Sequence, residues 1–112
     1  MKITKVIDAP LKETAHKVDV RPLYNGDNAQ AMHIRLEPGE SLKPHITPVD
    51  VFFYILEGTP NVHIGEEKET VDIDTMVESP KDIVHYLSNT SDKPARVLVV
   101  KAPRPKEKSR FL

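Results

Sequence analysis

Apolar residues recur at every second position through much of this chain. Met32, Ile34 and Leu36 alternate with His33 and Arg35, Val62 and Ile64 flank His63, and Val71 and Ile73 flank Asp72. A period of two marks a strand with one buried face. Prolines at 10, 22, 38, 44, 48, 60, 80, 94, 103 and 105 leave room for a long helix only within 23–37, 61–79 and 81–93, and these gaps carry the strand pattern instead. The pattern predicts strands over Lys17–Arg21, Ala29–Leu36, Val51–Leu56, Asn61–Ile64, Thr70–Ile73, Met76–Ser79, Val84–Leu87 and Ala95–Lys101. It adds an edge strand over Ile3–Ile7 and one helical turn at Leu11–His16. Asn25-Gly26-Asp27-Asn28, Pro38-Gly39, Glu57-Gly58, Gly65-Glu66 and Asn89-Thr90-Ser91-Asp92 supply the corners.

Many short strands at regular spacing predict an all-β sandwich or small antiparallel barrel with little helix. The inward set is Met32, Ile34, Leu36, Val51, Phe53, Ile55, Val62, Ile64, Val97 and Val99. The run Val51-Phe52-Phe53-Tyr54-Ile55-Leu56 is apolar on both faces, so both faces need cover. The barrel interior covers one. A second copy of the chain, in a homodimer, covers the other; a terminal segment folding over that face is the alternative.

Composition narrows the possibilities. The chain has 112 residues, the length of one domain, with no cysteine, which excludes disulfides, thiolate catalysis and cysteine-ligated metals. The most apolar stretch, Val49–Leu56, is too short to span a bilayer and contains Asp50. No signal-peptide pattern follows Met1, so the expected location is cytoplasmic and no membrane partner is expected. Net charge is −1, but the end is basic: residues 101–112 carry Lys101, Arg104, Lys106, Lys108 and Arg110 against Glu107 alone. The acidic remainder argues against nucleic acid as a partner, and residues 103–112 read as a solvated basic tail.

Two stretches carry candidate chemistry. The first runs from Gly39 through His45, Thr47 and Val51 to Gly58; the second runs from Asp74 through Pro80, Asp82 and His85 to Asn89. Their spacing resembles the paired motifs of the cupin superfamily, G-x5-H-x-H-x3,4-E-x6-G and G-x5-P-x-G-x2-H-x3-N. Gly39, His45, Gly58, Pro80, His85 and Asn89 occupy family positions. Thr47 stands where the second histidine would be and Val51 where the glutamate would be, while Asp74 and Asp82 replace glycines. Aspartate visits positive φ at modest cost, so the last two exchanges leave the corners feasible.

The resemblance implies an antiparallel jelly-roll β-barrel, RmlC-like, with its core over about 29–102 of a single 1–112 domain. In metal-binding cupins the four motif ligands hold Mn, Fe, Ni, Cu or Zn inside the barrel. Of those four only His45 and His85 remain, so they are the candidate metal ligands. His45, Thr47, Val51, Phe53 and His85 are the candidate lining of a ligand pocket. Asp50, His33 and His63 point away from the interior by alternation, and His16 is expected in solvent. The expected function is binding of a small molecule in the barrel, with a depleted or absent metal centre. The alternative is a divalent-metal enzyme of dioxygenase or isomerase type that uses His45 and His85 with unconventional further ligands. No catalytic residue is assigned.

Overall fold

The computed structural model describes all residues, Met1–Leu112. Ten strands form: β1 (Asp19–Gly26), β2 (Ala29–Leu36), β3 (His45–Ile46), β4 (Asp50–Glu57), β5 (Asn61–Ile64), β6 (Glu67–Thr70), β7 (Met76–Ser79), β8 (Val84–Ser88), β9 (Ala95–Ala102) and β10 (Arg110–Phe111). They make two five-stranded antiparallel sheets, β1-β2-β9-β4-β7 and β10-β3-β8-β5-β6, the all-β architecture expected from the alternation and the jelly roll that the family resemblance implies. The only helical element is a 3-10 turn at Val6–Asp8.

The two sheets close on a core of Val20, Ile34, Leu36, Leu42, Val51, Phe53, Ile55, Val62, Leu87, Val97 and Val99. Each such side chain contributes about 1.5–3 kcal/mol on leaving water. Met32 and Ile64, expected inside, are only partly buried against this cluster. Asn89 ties its edge: its buried side-chain amide donates to the carbonyls of Leu36 and Lys93.

Four local expectations fail for identifiable reasons. Ile3–Ile7 forms no strand. The chain there turns over the first sheet, and its carbonyls at Val6, Ile7 and Ala9 accept from the Arg21 guanidinium. No helix forms over Leu11–His16, where Lys12 instead hydrogen-bonds through its N–H to Val20. The strand placed at Thr70–Ile73 lies earlier, at Glu67–Thr70, because the Gly65-Glu66 turn folds the chain straight back onto β5. Finally, the end of the chain is not wholly a free tail. Its charged side chains stay exposed, but Arg110 and Phe111 pair with Ile46 and His45 of β3.

Asp74 and Asp82 sit at φ 62° and 64°, the left-handed conformation their glycine-like positions require. Their amides close the corners, Asp74 N–H onto Ile55 O and Asp82 N–H onto Thr47 O. Gly58 adds a steric demand, since a Cβ there would lie 2.5 Å from the Pro94 carbonyl oxygen at φ +80°. Gly39 has similar φ, +86°, but open space around it. Gly39→Ala is therefore expected to cost about 1–2 kcal/mol, the left-handed penalty alone. Gly58→Ala should cost about 3 kcal/mol or more, because backbone must also move. Urea unfolding of the two variants checks the order; equal losses would remove the steric argument.

Candidate functional site

The pairing of β3 with β8 sets His45 directly opposite His85, with ring centroids 4.7 Å apart in an edge-on arrangement. Both are buried, as are Thr47, Val51 and Phe53. All five residues singled out as a pocket lining are therefore interior; Thr47 reaches His85, and Val51 pairs with Ser79, which also bonds His85. Phe53 lies 5.4 Å from the His85 ring.

Two neighbours escape a reading of the sequence. His16, expected in solvent, packs its ring 4.8 Å from His45. Phe111, from the expected tail, lies 5.2 Å from His16 and 5.7 Å from His45. No local pattern marks His16. For Phe111 the only signal is one aromatic residue among charges. The other side chains named as pointing away from the interior stay outside: Asp50 is exposed and accepts from Lys81 N–H, His63 stacks on Tyr86, and His33 is buried on the outer face against Arg96.

Hydrogen bonds fix the roles of the rings. The Lys43 peptide holds two of them: its carbonyl accepts from His45 Nδ1 at 2.7 Å, and its N–H donates to His16 Nδ1 at 2.9 Å. A carbonyl only accepts, so His45 carries its proton on Nδ1 and keeps a lone pair on Nε2. Neutral His16 conversely carries its proton on Nε2. His85 lies between two hydroxyls, Ser79 at 2.7 Å from Nδ1 and Thr47 at 3.0 Å from Nε2, and Thr47 reaches Ser109 at 3.1 Å. Hydroxyls donate or accept at need, so this chain tolerates either tautomer of His85 and can pass a proton along it.

The rings are neutral at physiological pH. Burial, reinforced by the neighbouring His45, Lys101 and Lys43 charges, lowers the His16 pKa to about 4. Burial lowers His85 to about 3, helped by His45, Lys101 and His16. Burial also lowers His45, against the opposing effect of its bond to the Lys43 carbonyl.

This donor set does not fit a divalent metal. His16 Nδ1 and both nitrogens of His85 are engaged, Val51 offers no donor, and a lysine ammonium stands nearby. No group of three or more His, Cys, Asp or Glu side chains is arranged to hold an ion. A concavity of about 890 Å³ lies elsewhere, between residues 11–19 and Arg35, Glu37 and Glu40. It is open and brings no comparable set of chemical groups together, so the histidine end of the barrel is the candidate site.

Two antiparallel sheets rolled around paired histidines define a double-stranded β-helix protein. The chain belongs to the Cupin domain family, which it matches over residues 32–101. It is 34% identical over 77 residues to the tetracenomycin polyketide synthase protein TcmJ of Streptomyces glaucescens, covering 65% of this chain and 52% of TcmJ. The chain thus spans about half the length of the curated relative it matches. Among solved structures, the TT1209 protein of Thermus thermophilus is 29% identical with a TM-score of 0.80, over 94% of this chain and 100% of that one. The RmlC-like cupin mj0764 of Methanocaldococcus jannaschii is 26% identical with a TM-score of 0.76, over 95% and 96%. The polyketide cyclase RemF of Streptomyces resistomycificus shares the fold, at 19% identity and a TM-score of 0.85 over 100% of this chain and 85% of RemF. No helix is long and apolar enough to cross a membrane.

The depressed histidine pKa values set a pH dependence. Below about pH 6.5 the unfolded chain takes up protons that the folded rings resist, so stability is complete above that pH and declines toward the folded values near 4 and 3. At pH 5 the loss is at most roughly 2 kcal/mol per ring, and less for half-exposed His16. Thermal unfolding of the wild type should fall steeply from pH 7 to 4.5, and His85→Gln should flatten that slope. An unchanged slope in the variant would show that His85 is not held neutral.

Proposed function

We propose that this protein is a single-domain cupin, 1–112, that binds a small organic molecule at the histidine end of its barrel without a divalent metal. The observation that carries this reading is the convergence of His45, His85 and His16 beside Phe53 and Phe111. Apolar walls with a few fixed polar groups are what small-molecule sites share. Here the free lone pair of His45 accepts a ligand hydroxyl, and the Ser79–His85–Thr47 chain stabilises either protonation state of the neighbouring ligand atom. Phe111, half-exposed, lies beside His16 and His45, and we infer that the ligand enters as β10 lifts from β3. Likeness to a polyketide synthase protein, together with the aromatic walls, favours an oxygenated aromatic or polycarbonyl compound.

A divalent-metal enzyme of dioxygenase or isomerase type is the second reading, because His16 brings a third imidazole beside His45 and His85. The nitrogens already engaged in hydrogen bonds weigh against it. The partner in assembly is a second copy, seated on the outer face of the first sheet, where Phe52, Tyr54, Leu98 and Val100 stay half-buried.

The test is a thermal-shift screen of phenols, polyketones and aromatic acids on untagged protein, with metal analysis of the same sample. A true ligand raises the melting temperature by several degrees at saturation and loses that effect in a His45→Gln, His85→Gln double variant. A shift that survives the double substitution would place binding elsewhere. A stoichiometric metal ion that disappears with the two histidines would replace this reading with the second one.

A further inference from the structure

Lys101 ends the inward-facing series of β9. It follows Val97 and Val99 at intervals of two, so its side chain shares their face. The register agrees on both sides: Lys101 stands opposite Val51 of β4 and Gln30 of β2, and Val51 is a buried core residue. Residues directly opposite on paired strands project to the same face. The ammonium is therefore carried toward the barrel end that holds the histidines, and its charge acts on His16, His45 and His85 alike.

This cation has no counter-ion. The molecule forms four ion pairs, Arg21–Asp19, Arg35–Glu37, Arg96–Glu57 and Arg104–Asp27, and none involves Lys101. Lys101 makes no side-chain hydrogen bond. Its charged neighbour is another lysine, Lys12, and the three rings beside it are neutral. A half-buried ammonium set among Val51, Gln30, a second lysine and neutral imidazoles is an incomplete arrangement, because a charge removed from water needs a partner. Nothing else in the chain supplies one.

The geometry points to Lys101 as the anchor of an anionic ligand: the barrel takes a small organic carboxylate whose charge rests on the Lys101 ammonium and whose apolar body lies against Phe53 and Phe111. This rests on the pocket proposed above and specifies its ligand class. One ammonium matches one negative charge. A phosphate dianion calls for several cationic or amide donors together; Arg21, Arg35 and Arg96 bond to carboxylates or backbone on the other face, Arg104 pairs with Asp27, and Arg110 is exposed on β10. The rings complement a carboxylate that carries a hydroxyl nearby. Neutral His16 has an Nε2 proton to donate, and His45 has an Nε2 lone pair to accept.

The test titrates the full chain at pH 7.5 with benzoate, with benzamide as its neutral counterpart, and with inorganic phosphate. The readout is the imidazole Cε1–H resonances of His16, His45 and His85. Benzoate should bind at least about tenfold more tightly than either other probe. Lys101→Met should remove that preference while leaving benzamide unchanged, and Lys101→Arg should retain most of it. Val51→Glu, which sets a carboxylate directly across from Lys101, should abolish benzoate binding by supplying an internal partner. Circular dichroism establishes that each variant is folded; if Lys101→Met is not, the wild-type probe comparison and Val51→Glu decide the matter. Equal affinity for benzoate and benzamide, preference for phosphate, or undiminished benzoate binding in Lys101→Met overturns the inference and leaves the pocket standing. No response to any of the three probes also overturns it, and the pocket is then judged by the thermal-shift screen alone.

Discussion

Backbone pairing between β3 and β8 brings two imidazoles forty positions apart into adjacent places, and the rest of the site is arranged around that pair. β3 is only two residues long, so its position depends on what lies to either side. Asp82 N–H holds the Thr47 carbonyl just after it, and Phe111 and Arg110 pair along its other edge. The Lys43 peptide, two residues earlier, orients His45 and His16 at once. A short strand clamped on every side can present side chains with defined tautomers, which a free loop cannot do.

The interior that results has an uncommon balance of charge. Three rings that would each be partly protonated in water are kept neutral by burial and by one another, and the lysine at the end of β9 reinforces that neutrality. Hydroxyls from Thr47 and Ser79 take up the hydrogen-bonding capacity of His85. The same threonine and the valine that faces Lys101 occupy the places where the family resemblance would put a histidine and a glutamate. Val51 offers no polar group there, Thr47 offers a hydroxyl to His85, and Lys101 forms no ion pair.

The strands and core are legible in the sequence because alternation is a local signal that burial enforces directly. Period two places Ile34, Leu36, Val51, Phe53, Ile55, Val62, Val97 and Val99 inside, and all are core residues. The convergence of His45 and His85 is legible only through the motif spacing, since no local pattern ties strands so far apart. His16 and Phe111 are not legible. Each lies in a segment whose composition reads as solvated, and each is drawn in by long-range pairing or stacking that local sequence does not encode. Lys101 is visible as a charge but reads as part of the basic end of the chain. Its phase with Val97 and Val99 is the available clue, and a lone lysine at a strand terminus usually keeps its charged head in water.

The terminal strand has a further thermodynamic implication. If the cavity is accessible only while Phe111 is displaced, the measured dissociation constant equals the intrinsic one divided by the fraction of molecules that are open. Selectivity among compounds small enough to be fully enclosed is untouched by that factor, which scales all of them alike. A longer compound that projects through the gap while bound prevents reclosure, so it forgoes the energy of the sealed state and must make up the difference with contacts outside the barrel. On that condition the pairing of β10 with β3 would favour compact guests over extended ones.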